Sequence, residues 1–148
     1  MSRYLSACAV VVLAVLAIAC DEKLSSITGP TPNLEPTFTS IQRDIFEAAD
    51  PAGRPACVNC HTSVGRRPSG GLTLTHDVAY DQLVNVASVE RGTLMRVKPG
   101  DPDGSYIVHK VEGRTGIIGA RMPLTGPYLT DGQILVLRRW IELGAPRD

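Results

Sequence analysis

Cys57-Val58-Asn59-Cys60-His61 places two thiols three positions apart and an imidazole directly after the second. Thiols at this spacing can reach the two vinyl groups on one edge of a porphyrin and form thioethers. The histidine that follows is then held under the iron, where a ring nitrogen can ligate it. Five residues thus anchor a c-type haem and supply its proximal ligand. The motif occurs once, which points to one haem and excludes a multihaem chain.

Two other chemistries use a Cys-x-x-Cys pair. A thioredoxin-like redox site needs the pair near a βαβ pattern, with the first Cys at a helix N-terminus. Ala48-Ala49-Asp50-Pro51-Ala52-Gly53-Arg54-Pro55 lies upstream instead, and it reads as a loop with no β-branched run. A structural zinc site needs four ligands, usually from a second Cys or His pair. His76 and His109 are isolated from one another, and there is no second pair.

The N-terminus points to export. Arg3 is followed by an almost wholly apolar stretch over residues 4–18, too short for a confident membrane span and placed as in a secretory signal. Ala17-Ile18-Ala19-Cys20 resembles a lipoprotein signal, in which Cys20 becomes the lipid-modified first residue. It departs from the usual pattern, with Leu16 one place too far and Ala17 in the preferred Leu position. Ordinary cleavage, leaving Cys20 as a spare thiol and the protein soluble in the periplasm, is the alternative. The cysteine count favours the lipoprotein: Cys8 leaves with the signal, Cys20 carries lipid, and Cys57 and Cys60 carry haem. The expected location is the periplasmic face of a bacterial membrane, tethered without spanning it.

The expected organisation is a signal peptide over residues 1–19, a flexible tether over 20–36 rich in Ser, Thr, Pro, Gly and Asn, and one haem domain over 37–148. Removing residues 1–19 takes away one Arg and no acid, leaving 14 basic against 15 acidic residues. No basic run is present for nucleic acid.

Helical spacing is the dominant periodicity of the domain. Ile41, Ile45 and Ala49 predict a helix over 40–49, with Phe46 flanking the face and Thr39 and Gln42 as a capping box. The clearest helix is the last. Thr130 and Gln133 form a capping box, Ile134, Leu137, Trp140 and Ile141 line one face, and Gly144 and Pro146 stop it. Arg138 and Glu142 are expected to pair at i,i+4. A short helix capped by Asp103 carries Tyr106, Ile107 and Val111 and ends at Gly113. A further turn is expected over 80–84, and residues 70–75 fit either an extended segment or a loop around the haem.

Met122 is the expected sixth ligand. A thioether opposite histidine suits the reduced iron of an electron carrier and raises its potential. Pro123 biases Met122 away from helical geometry, giving a methionine in a stiff loop far along the chain from His61. Of the competitors, Met95 is expected in the core, His109 in solvent, and His76 in a loop or cap, with bis-histidine ligation through His76 the alternative.

The helix, the Cys-x-x-Cys-His, the Met-Pro loop and a last helix bearing Trp140 together resemble class I cytochrome c over residues 37–144. The resemblance is closest to small cytochrome c-like domains of bacterial lipoproteins and planctomycete-type multidomain proteins, which carry stretches similar to Arg121-Met122-Pro123-Leu124 and Trp140-Ile141-Glu142-Leu143-Gly144-Ala145. It implies an all-α fold whose first and last helices cross beside one covalent haem, with Phe46 and Trp140 at the crossing. It implies thioethers on Cys57 and Cys60, His61 proximal and Met122 distal. Residues 63–120 match the family poorly, and Arg121 and Tyr128 are the candidates to bind the propionates.

These readings converge on a one-electron carrier rather than an enzyme, since no nucleophile-base constellation is present. Its expected partners are a redox donor, a redox acceptor and a membrane surface. A haem-based sensor with a labile sixth ligand, and a haem subunit docked in a larger respiratory or dehydrogenase complex, are the alternatives.

Overall fold

The computed structural model describes residues 33–148. The expected signal peptide, Cys8, Cys20 and most of the tether lie outside the described residues. Within them the chain is mostly helical, with no strand and only isolated β-bridges. No described helix is long and apolar enough to cross a membrane.

The first helix, α1 (Phe38–Ile41), widens directly into a π-helical turn over Gln42–Phe46. The Glu47 N–H closes that turn on the Gln42 carbonyl at 3.0 Å. The helix starts and stops earlier than the periodicity predicts, and its cap is Thr37 rather than Thr39. Thr37 Oγ1 accepts from the Ser40 N–H at 3.2 Å. The Thr39 N–H is taken by the Asp148 carboxylate, while Gln42 donates to Leu74 O at 2.9 Å instead of reaching back to a cap.

Two 3₁₀ turns follow, Cys57–Asn59 and Ser69–Gly71. Then come α2 (Ala79–Leu83), α3 (Tyr106–Glu112) and α4 (Asp131–Glu142). The Thr130–Gln133 capping box of α4 is present in full. Helix α3 starts after Ser105, without the side-chain cap expected from Asp103. Asp103 instead pairs with Arg114 and Arg138. Gly113 ends α3 at φ 72°, a left-handed conformation that glycine adopts without a Cβ penalty.

Ile41, Ile45, Leu83, Val97, Val108, Leu137, Trp140 and Ile141 form the centre of one apolar core, each at most 1% exposed. Helix α1 packs on α4 there. The aromatic partner of Trp140 is Phe38, with ring centroids 5.6 Å apart, rather than the expected Phe46. The earlier helix start puts Phe38 in the first turn, and Phe46 faces a cavity instead. The C-terminal tail folds back over this contact: Trp140 Nε1 donates to Pro146 O, Tyr80 Oη to Ala145 O, and Asp148 accepts from the Phe38 N–H at 2.6 Å.

Arg138 does not pair with Glu142 as expected. It points across to α3 and binds Asp103 and Glu112, leaving Glu142 to Arg139. Met95 also departs from expectation, being 40% exposed. Met95 bridges residues 87 and 105 through its backbone, while the next two residues, Arg96 and Val97, are the buried ones.

Candidate functional site

A 3₁₀ turn repeats every three residues, so side chains at i and i+3 eclipse. The turn over Cys57–Asn59 therefore brings Cys57 and Cys60 to one side, and the His61 N–H closes on the Cys57 carbonyl at 2.9 Å. Both thiols are free. Cys57 Sγ is tucked against Ile45 O at 3.4 Å, and burial pushes its thiol pKa up.

The segment over residues 69–74 is tied alongside His61. Ser69 N–H bonds Cys60 O, Leu74 N–H bonds His61 O at 2.8 Å, and His61 Nδ1 donates to Leu72 O at 3.3 Å. After the 3₁₀ turn the chain becomes extended at Leu72, so the extended reading of residues 70–75 holds in part. When Nδ1 carries the proton in this bond, the lone pair of the neutral ring lies on Nε2. Burial pushes the His61 pKa down, against the opposing effect of the Leu72 and Ser69 carbonyls. The ring is a neutral donor at neutral pH.

Met122 approaches from the other side of the sequence. Its N–H donates to Lys110 O at 2.8 Å, and its neighbour Arg121 donates from Nε to Val111 O at 2.8 Å. The loop is thus fastened to the last turn of α3. Gly113 lets this happen, since a Cβ there would lie 2.7 Å from Arg121 Cδ.

Cys57, Cys60, His61 and Met122 all line one cavity of about 280 Å³. Phe46, Leu72, Leu74, Leu83, Leu129 and Leu137 supply apolar wall. His76 is exposed and His109, whose Nε2 lies 2.6 Å from Asp103 O, is half-buried; neither lines the cavity. Among the described residues no group of three or more His, Cys, Asp or Glu side chains could hold a metal ion. Among the described residues no strand precedes Cys57, and its turn is not a helix N-terminus of the thioredoxin kind.

Arg121 and Tyr128, the expected propionate ligands, lie together outside this lining. The Arg121 guanidinium stacks 4.0 Å over the Tyr128 ring, and neither residue lines the cavity. Among the polar residues that do line it are Ser88, Glu90, Arg96, Tyr106 and Lys110. Lys110 Nζ bonds Glu90 at 3.1 Å and Ile118 O at 2.8 Å, and Tyr106 Oη donates to the same Glu90 oxygen at 3.0 Å. Burial lowers the Arg96 pKa. All five lie within the poorly matching segment. The one sequence signal was Arg96 itself, an arginine between Leu94-Met95 and Val97, and such residues usually extend their charge into water.

Comparisons of the chain with protein families, with curated proteins and with solved structures find no match.

Proposed function

We propose that the chain is a monohaem c-type cytochrome, a one-electron carrier of cytochrome c fold that works outside the cytoplasm. The observation that carries this reading is the convergence of Cys57, Cys60, His61 and Met122 on one apolar cavity, although Met122 is 61 positions from His61. The donor set fits haem c in kind. Cys57 and Cys60 anchor through thioethers, neutral His61 offers Nε2, and Met122 offers a soft sulfur. Haem c bound here supplies the ferric/ferrous couple.

The protein's own residues do the rest. Leu72 O holds the His61 ring in one tautomer, and Lys110 O holds the Met122 backbone. The apolar walls keep water from the metal and disfavour the extra charge of the oxidised state. Two ligands held by backbone bonds move little between redox states, which suits electron transfer to docked donor and acceptor proteins. Export, with a lipid on Cys20, would concentrate the carrier beside membrane-bound partners.

The full chain, expressed in a bacterium that matures c-type cytochromes, tests this. A mass increase of one covalent haem is expected, with an additional lipid mass if Cys20 is acylated. The haem increment should vanish in Cys57→Ser/Cys60→Ser. Mature protein without covalent haem would refute the proposal.

A further inference from the structure

Arg96 lines the cavity as a cation whose partners are all neutral. Its side chain is buried, 7% exposed. Nη1 donates to Gln82 O at 2.8 Å and to Gln82 Oε1 at 3.2 Å, while Nη2 donates to Gly71 O at 2.8 Å. These bonds use three of five guanidinium hydrogens. Nε–H takes no part in these bonds, and a guanidinium with hydrogens to spare can bind a carboxylate as well.

The backbone holds Arg96 just as firmly. Its N–H bonds Val86 O at 2.7 Å and its carbonyl accepts from Ile107 N–H at 3.1 Å. A desolvated charge so fixed is unfavourable unless an anion completes it. Lys110, the other cation of the cavity, already has its anion in Glu90. The two cations share a neighbourhood. A Cβ on Gly71 would lie 4.0 Å from Arg96 Nη2, and one on adjacent Gly70 would lie 3.5 Å from Glu90 Oε1.

We propose that Arg96 receives one carboxylate of the bound haem, and that Glu90 withholds Lys110 from the second. The assignment rests on the haem reading above and makes this corner one part of the protein that tunes the reduction potential, beside the Met122 thioether. A cation beside the ring opposes the oxidised state, and an anion favours it. Removing Arg96 and removing Glu90 should therefore shift the potential in opposite directions, which a merely structural role for either residue would not produce.

The test is potentiometric titration of the mature holoprotein and of Arg96→Gln, Arg96→Lys and Glu90→Gln. In R96Q the ratio of oxidised to reduced protein at fixed potential should rise about tenfold or more, equal to 59 mV for a one-electron couple. In E90Q the ratio should fall by about threefold or more, and R96K should restore most of the R96Q shift. Haem-loaded R96Q with an unchanged ratio would overturn the proposal, as would E90Q shifting in the same direction as R96Q or not at all. If R96Q fails to mature, the sign of the E90Q shift decides. Wild-type protein without haem would instead defeat the haem reading, and this proposal with it.

Discussion

The backbone N–H of Met122 donates to the carbonyl of Lys110 at 2.8 Å, fastening the proposed distal ligand to α3 rather than leaving it on a free loop. Lys110 also faces the cavity through its side chain. One residue therefore holds the ligand's main chain and contributes to the polar corner.

Met122→Ala should leave haem attachment intact and remove the sixth ligand. The reduced protein should then bind carbon monoxide readily, and its oxidised-to-reduced ratio at fixed potential should rise about tenfold or more, because the thioether favours the reduced iron. Absorption spectra with and without carbon monoxide check this. An unchanged spectrum would return His76 or Met95 to consideration.

Gly113 is required twice, for its φ of 72° and for the approach of Arg121. Gly113→Ala should destabilise the protein by about 1–3 kcal/mol through a strained left-handed residue and a crowded Cβ. Adding Arg121→Ala should recover the crowding part but not the backbone part. Denaturant titration of the single and double variants separates the two. The Met122 signature should weaken in the single variant, since the same contact fastens the loop.

Asp103 accepts from Arg114 and Arg138, and those bonds, Arg114 first, hold its carboxyl at about 2, below the ordinary 3.8. A carboxyl with a depressed folded-state pKa stabilises the fold above its unfolded pKa and loses that contribution as pH falls through the folded one. Wild type should thus exceed Asp103→Asn in melting temperature at neutral pH. The gap should narrow from about pH 4 downward and close near pH 2. Thermal melts across that range test it, and high salt should shrink the gap because the carboxylate is exposed.

Trp140 is fully buried against Phe38 and gives its indole N–H to Pro146 O at 2.9 Å. Trp140→Phe keeps ring contact but orphans that carbonyl, and should cost about 1–3 kcal/mol. Trp140→Ala also leaves a large cavity and should cost about 3–5 kcal/mol. Chemical denaturation of the two variants gives the ordering. Equal losses would mean that the ring contact contributes little beyond the hydrogen bond.

What the sequence determined by itself is local. Cys57-x-x-Cys60-His61 brings two thiols and an imidazole together through spacing alone. The Thr130–Gln133 box starts α4 through bonds between residues three apart, and Gly113 ends α3 because no other residue adopts its φ as easily. Met122 was legible as a methionine stiffened by a following proline.

Everything that needed a partner from elsewhere in the chain was decided by tertiary structure. Thr37 replaced Thr39 as the cap because Asp148 returns to take the Thr39 N–H, a contact between residues 109 positions apart. Arg138 left its i,i+4 partner because α3 brings Asp103 and Glu112 within reach. Phe38 rather than Phe46 meets Trp140 because that depends on where α1 begins. Arg96 is enclosed by Gln82 and Gly71, which lie 14 and 25 positions away in the chain. Short-range capping and turn geometry are written in neighbouring residues, whereas the environment of a charge depends on what the whole fold places beside it.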